Sequence, residues 1–248
     1  MTDTLPRLIV HFPSDDEAAA SQDTERCEVR IGDQPPRTIR FHDYHEIYAV
    51  PGLYERIFHE HLRCASPEVV AGLLAEQLAE AGEDPAALSA LDVGAGNGLV
   101  GEQLEKLGVS SIVGVDIIEE AAAAAARDRP SVYDDYVVCD LTALDDDQRA
   151  RLGEPTLMTT VAALGFDDIP PAAFAEAYAA ARDGAWVAFN IKADFLEEDE
   201  ESGFRGLIRR MVREGALEVL ATRRYIHRLS IAGEPLEYVA VVGRKRSG

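Results

Sequence analysis

Cysteine is scarce in this chain of 248 residues, with only Cys27, Cys64 and Cys139 present. They are odd in number, widely spaced and never paired as C-x-x-C. That excludes a disulfide framework or a zinc ribbon and leaves three reduced, mostly buried thiols as the expectation. Long apolar runs are also missing: no stretch approaches the twenty or so residues that a membrane-crossing helix needs. Met1-Thr2-Asp3-Thr4 is not followed by a basic stretch and an apolar core, so a cytoplasmic location is expected. Positive charge is in short supply. Lys and Arg number 24 against 45 Asp and Glu, and the formal charge is −21. Nucleic-acid backbones and anionic membranes repel such a surface, so neither is expected as a partner. The basic residues that do occur gather late, ten between 205 and 246 against four Glu. That excess either guides an acidic substrate or is a solvated face balancing an acidic body.

The chain is long enough for one α/β domain with a normal core, and 47% of its residues are apolar. Residues 1–41 read as a short β-rich appendage. Cys27 to Ile31 and Thr38 to Phe41 alternate around Gly32-Asp33-Gln34-Pro35-Pro36, as a hairpin does. From Gly52 to Cys64 the spacing becomes helical, with Leu53, Ile57 and His61 on one stripe. Ser66 is then expected to cap a second helix, with Pro67 at its first position and Val70, Leu74 and Leu78 on its buried face. From Leu88 onward five apolar runs alternate with helical segments: 90–93, 111–115, 136–139, 156–161 and 185–189. Two long runs, 217–231 and 236–242, follow around Ala232-Gly233-Glu234-Pro235. The expected fold is α/β: a doubly wound, mostly parallel seven-stranded sheet with a C-terminal antiparallel hairpin, plus a small N-terminal β/helical cap. The expected division is a cap over 1–64 and a main domain over 65–248.

The chemical signal is Leu91-Asp92-Val93-Gly94-Ala95-Gly96-Asn97-Gly98, which follows a strand and opens a helix. Glycines at every second position let the backbone turn sharply and approach a ligand, and the helix start supplies amide donors. Dinucleotide enzymes and plain tight turns also use such a bend. In the dinucleotide fingerprint G-x-G-x-x-G, however, the third glycine comes one residue later, where Leu99 stands here. Asp116 ends the second strand 24 residues after Asp92, where a carboxylate can accept ribose hydroxyls. Asp140 ends the third strand another 24 residues on, where it can accept from an adenine amino group, with Leu141 as apolar cover.

With "LDVGAGNG", "VGVD" and "CDLTAL" in this order, residues 66–245 resemble the class I, Rossmann-like S-adenosylmethionine-dependent methyltransferases. The stretch "TVAALGFDDIPPAAF" is similar to their small-molecule members. The resemblance implies S-adenosylmethionine as cofactor, methyl transfer as activity and a small molecule as acceptor. It places Gly94, Ala95 and Gly96 along the methionine part, with Asp92 ordering the bend. Asp116 falls at the ribose, Ile117 and Leu141 on the adenine, and Asp140 at its edge. Val161 or Ala162 lies beneath the sulfonium.

An in-line displacement with an activated leaving group asks the protein mainly to hold the nucleophile and exclude water. A hydroxyl or ammonium acceptor also needs a base. The segment His42-Asp43-Tyr44-His45-Glu46-Ile47-Tyr48, continuing to Tyr54, His59 and His61, is where one is sought. His42 and His45 are candidate bases, and Tyr44, Tyr48 and Tyr54 candidate lid residues, as such segments are in this family; plain packing of the same rings is the competing reading. His227, Asn190 and Lys192 are further candidates. A metal site from the four clustered histidines would lack a companion Cys or a paired acid, so no metal is expected. The fourth strand carries neither N-P-P-Y nor a terminal Cys, which argues against amino-methylating DNA enzymes and covalent pyrimidine methylation. The rival readings are a non-catalytic binder of S-adenosylmethionine, a protein methyltransferase and a nucleotide-dependent oxidoreductase. Residues 1–41 are expected to cap the pocket or to form a homodimer contact.

Overall fold

The computed structural model describes residues 7–13, 24–164, 169–193 and 203–246. Its centre is one seven-stranded sheet. The strands are β4 (Ser89–Val93), β5 (Ser111–Asp116), β6 (Asp135–Val138), β7 (Leu157–Thr160), β8 (Trp186–Lys192), β9 (Leu217–Leu229) and β10 (Pro235–Lys245), in the order β6-β5-β4-β7-β8-β10-β9. The first five are parallel, and β10 and β9 close the sheet as an antiparallel hairpin. The seven-stranded, doubly wound architecture expected from the strand–helix rhythm is the one observed. The chain runs outward from β4 to β6, then returns to place β7 on the other side of β4. The direction of winding thus switches at the carboxyl end of β4, the crevice where open α/β sheets take ligands.

Helices cover both faces. On β8, Trp186 and Ala188 point into one layer with Val70, Leu74 and Leu78 of α2 (Ser66–Ala81) and Leu104 of α3 (Leu99–Leu107). Val187, Phe189 and Ile191 point into the opposite layer. There they meet Leu152 of α5 (Asp146–Leu152), Phe174 and Tyr178 of α6 (Pro171–Ala180), and Leu207 and Met211 of α7 (Gly203–Arg213). This period-two split is what a strand buried on both faces requires. In α4 (Glu119–Asp128), the alanine run supplies helix propensity and a close approach, with Ala121, Ala124 and Ala125 buried.

Two local expectations are corrected. Ser66 is not a cap: Ala65 holds the N-cap position, and the buried Ser66 hydroxyl bonds Tyr225 and His227 of β9 instead. A fully buried hydroxyl is held by the partners it meets in the interior. The helical stretch after Gly52 is π-helical over Glu55–His61, with the Leu62 amide donating to the Ile57 carbonyl five residues back.

The N-terminal strands β1 (Leu8–His11), β2 (Arg26–Ile31) and β3 (Arg37–Arg40) form a separate antiparallel sheet. With α1 (Tyr44–Tyr48) and the π-helical segment they bury Val29, Ile39, Phe41, Ile47, Leu53 and Ile57 in a cluster that reaches Ile231 in the β9–β10 turn. Glu25 and Arg228, exposed by 3% and 7%, pair at 2.6 Å across this junction, and Glu25 also accepts from the Ile231 amide at 2.8 Å. The loop expected from Ser14 lies, over residues 14–23, outside the described residues.

Candidate active site

The bend after β4 is fixed from below and from the side. Gly94, Ala95 and their neighbours leave the strand with φ of +71° at Gly94, +54° at Gly96 and +91° at Gly98. The Gly94 and Ala95 amides both donate to the Val115 carbonyl, at 2.9 and 3.1 Å. A Cβ on Gly94 would lie 2.9 Å from both Ala163 and Ile169, and one on Gly96 would overlap the Tyr48 hydroxyl. Asp92 stands beneath the bend, 1% exposed, accepting from Tyr133 at 2.7 Å and from Thr159 at 2.8 Å. Burial pushes its carboxyl up to about 6, although both hydroxyls favour the charged form. The Tyr136 hydroxyl donates to the Gly96 carbonyl at 2.8 Å. Tyr133 and Tyr136 are anchors that the sequence did not flag, because their only local signal was an aromatic pair beside a short strand.

Above the strand tips lies a cavity of about 380 Å³. Of the residues singled out from the sequence, Gly94, Asp116, Ile117, Asp140, Leu141, Val161 and Ala162 line it from the sheet side. His42 and Tyr48 line it from the N-terminal side, with Tyr44 and Tyr54. Asp92 lies under the bend, Ala95 and Gly96 are part of the bend but not of the cavity wall, and His45 is exposed and elsewhere. Helical geometry explains His45: Tyr44 and Tyr48, four apart, share the inner face of α1, and His45 turns outward.

Asp116 uses both carboxylate oxygens on the main chain, Oδ2 to Gly96 at 3.0 Å and Oδ1 to Ile118 at 3.1 Å. Burial raises its pKa, with those amides opposing. Ile117 is 64% exposed at the lip, an apolar side chain left for something to cover. Asp140 caps a single 3₁₀ turn through the Thr142 amide and hydroxyl, at 2.8 and 2.7 Å, and these bonds lower its pKa.

Ala162 follows β7 with φ +58°, a left-handed conformation that costs an alanine strain. Its amide donates to Asn190 Oδ1 at 2.7 Å. Asn190 in turn donates to Ser66 and Tyr225, and Ser66 contacts His227 Nδ1 at 2.6 Å. Lys192 does not line the cavity. Gly165 to Asp168 of the stretch continuing from β7 lie outside the described residues.

The N-terminal wall is an aromatic stack, Tyr44 to Tyr48 at 6.0 Å, Tyr48 to Tyr54 at 5.2 Å and Tyr54 to Phe58 at 4.7 Å. Glu55 ties this wall to the bend, accepting from Asn97 at 2.8 Å and from Arg129 at 3.0 Å. His59 lies within the π-helical segment and outside the cavity wall, with burial lowering its pKa, and His61 stacks on Phe12. Among the described residues, no three His, Cys, Asp or Glu side chains are placed to hold a metal ion. Nor, among those residues, is any helix long and apolar enough to cross a membrane.

The Methyltransferase domain family matches residues 91–189, from the β4 core to the middle of β8. No curated protein matches the chain by sequence. Among solved structures, magnesium protoporphyrin IX methyltransferase from Synechocystis PCC 6803, bound to S-adenosylhomocysteine, superposes with a TM-score of 0.56 at 15% identity, over 78% of this chain and 92% of that one. The N-methyltransferase NodS from Bradyrhizobium japonicum, also with S-adenosylhomocysteine, gives 0.55 at 12% identity, over 84% and 98%. A Pyrococcus horikoshii protein, provisionally described as an RNA methyltransferase, gives 0.53 at 15%, over 77% and 87%. At these identities the likenesses establish the fold, and the matched family adds the chemistry. Residues 91–189 form a methyltransferase domain on the class I, Rossmann-like fold, with S-adenosylmethionine as its cofactor.

Proposed function

We propose that this enzyme methylates a small molecule that enters beside Ala162 and is enclosed with the cofactor under the aromatic wall. The observation that carries this reading is the wall itself: His42, Tyr44, Tyr48 and Tyr54, from one N-terminal segment, line the cavity opposite the strand tips. A volume of about 380 Å³ is in the range of small-ligand sites. The charge of −21 disfavours an RNA acceptor.

The residues present fit the cofactor. Gly94 lacks a side chain where a Cβ would meet Ala163 and Ile169, and Asp116 is a buried carboxylate at the second strand tip. In this reading Gly94, Ala95 and Gly96 run along the methionine portion, with Asp92 holding the bend through Tyr133. Asp116 takes the ribose, Ile117 and Leu141 flank the adenine, and Asp140 accepts at its edge. Val161 and Ala162 form the floor beside the reacting centre. When bound, S-adenosylmethionine supplies a methyl group on an activated sulfonium. The chain's own work is then to position the acceptor and exclude water, which Tyr44, Tyr48 and Tyr54 do by covering the cavity. His42, in the cavity wall, is the better placed of the two histidines first considered as bases; His45 faces solvent.

Titration with S-adenosylhomocysteine, followed by turnover against small metabolites, RNA and a protein extract, tests the reading. Product S-adenosylhomocysteine formed with a small-molecule fraction is expected. Turnover confined to RNA or protein fractions overturns it.

A further inference from the structure

Next to the cofactor cavity lies a second, much smaller chamber of about 40 Å³. It shares His42, Tyr44, Tyr54 and Ala162 with the large cavity, so the two adjoin at the strained Ala162. Its remaining wall includes His227, Arg228 and Tyr238 of the terminal hairpin. A water's share of liquid volume is roughly 30 Å³, so the chamber takes one polar group of an acceptor, not the acceptor's body.

The hydrogen bonds behind the chamber fix what that group meets. The Ala162 amide donates to Asn190 Oδ1, which orients the Asn190 amide and turns its Nδ2 toward Ser66 at 3.1 Å and Tyr225 at 2.8 Å. Both Nδ2 protons are then spent on those two oxygens. The Ser66 and Tyr225 hydroxyls lie 2.6 Å apart, and Ser66 is 2.6 Å from His227 Nδ1. Among the described residues, the Tyr225 proton has one acceptor within reach, Ser66. If Tyr225 donates to Ser66, the Ser66 proton must go to His227. In that direction both hydroxyl protons are placed: Asn190 donates to Tyr225 and Ser66, Tyr225 to Ser66, and Ser66 to Nδ1, while the Cys64 thiol, 3.8 Å from Nδ1, is a second contact from which a bare Nδ1 can accept. The reverse direction, with Nδ1 donating to Ser66, strands the phenol proton of a mostly buried tyrosine. Nδ1 is therefore bare and the ring's proton sits on Nε2.

We propose that this chamber receives an oxygen of the methyl acceptor, neutral or anionic, and that His227 holds it as an Nε2–H donor rather than acting as a base. The inference rests on the methyltransferase reading of the adjoining cavity. Charge supports it. Arg228 lines the chamber, its guanidinium donating to Glu25 and to the Leu229 carbonyl, and the Glu25 carboxylate is occupied by Arg228 and the Ile231 amide. An ammonium would meet no free anion there. Burial and Arg228 push the His227 pKa down to about 3, so the ring stays neutral and keeps a single proton. The face of the ring lies 4.2 Å from that of Tyr238, which sets its plane. Ser66 and Asn190 are positioning residues: they act through the imidazole.

The test uses the full chain, first titrated with S-adenosylhomocysteine and then saturated with it. Nitrogen NMR of the histidine rings reads the tautomer directly, and a bare Nδ1 with a protonated Nε2 is expected for His227. A protonated Nδ1 overturns the proposal. Two probes are then compared, 2-hydroxyacetophenone and benzylammonium. The ketone is expected to bind more tightly and to move the His227 Nε2 resonance, and Ser66→Ala is expected to weaken it about tenfold, the loss of one buried hydrogen bond's worth of order. Benzylammonium binding as tightly as the ketone, or Ser66→Ala leaving ketone affinity unchanged, overturns it. If S-adenosylhomocysteine itself does not bind, the reading beneath the proposal fails and takes the proposal with it. If it binds while the tautomer or probe result is contrary, only the chamber's assignment falls.

Discussion

Asp116 holds the glycine bend by its backbone: Oδ2 accepts from the Gly96 amide at 3.0 Å while Oδ1 accepts from Ile118 at 3.1 Å. The second strand tip therefore shapes the first. A carboxylate serving two amides has lone pairs left over for ribose hydroxyls, and the same side chain both builds the bend and faces the cavity.

Replacing Asp116 with Asn puts an amino group against one of those amides. The expected outcome is a loss of S-adenosylhomocysteine affinity of about ten- to a hundredfold, in line with losing charge-assisted hydrogen bonds. Hydrogen exchange at the Gly96 amide should speed up in the same variant even without ligand. Unchanged affinity would remove Asp116 from the cofactor site.

A side chain on Gly96 would collide with the Tyr48 hydroxyl, at a φ of +54° that already disfavours one. Gly96→Ala is expected to destabilise the fold by about 1–3 kcal/mol. Part of that cost belongs to the contact, so Gly96→Ala with Tyr48→Phe should cost less than the sum of the single changes by roughly 1 kcal/mol. Strict additivity in urea unfolding would show that the bend and the aromatic wall do not touch in solution.

The pattern that was legible in the sequence is local. Glycines two apart after a strand, and acids ending the next two strands, can be read from spacing because each follows its own strand. The five expected parallel strands followed from the same alternation, and the last two from the long runs on either side of Ala232-Gly233-Glu234-Pro235. What the sequence hid is long-range. Ser66 looked like a cap because it stood before a helical pattern, yet its hydroxyl is claimed by Tyr225 and His227, 159 and 161 residues later. Ala162 gave no sign of its left-handed backbone, since alanine has no preference for it. His45 was drawn in by its neighbours, and only the handedness of a five-residue helix turns it away.

Asp92 makes a pH prediction whose sign can be worked out. Its carboxyl titrates at about 6 in the folded protein because burial outweighs the Tyr133 and Thr159 bonds, whereas in an unfolded chain it titrates near 4. Between those values the folded state binds more protons than the unfolded one, so this group's contribution to stability falls as pH rises from about 4 to about 6, then levels off. Two units correspond to about 3 kcal/mol at most. Subtracting the stability of Asp92→Asn from that of the native chain at each pH isolates the effect from the many other acids. The difference is expected to become less favourable to the native chain from pH 4 to pH 7. A flat difference would mean that Asp92 is hydrated in solution.

Glu25 and Arg228 make the sharpest contrast with the surface pairs. Arg56 and Glu60 lie 2.6 Å apart with both side chains more than half exposed, and removing either should cost under about 1 kcal/mol. Glu25 and Arg228 are at the same distance but 3% and 7% exposed, joining the N-terminal sheet to the terminal hairpin. Glu25→Ala leaves a guanidinium buried without its partner and strips the Ile231 amide of its acceptor. A loss of about 3–5 kcal/mol is expected. Changing both residues, Glu25→Leu with Arg228→Met, removes the stranded charge along with the pair and should recover most of it, because an apolar replacement avoids the desolvation that the ion pair carries. If the double change unfolds at the same urea concentration as Glu25→Ala alone, the pair is not what fastens the cap, and the apolar cluster around Phe41 and Ile231 must do so unaided.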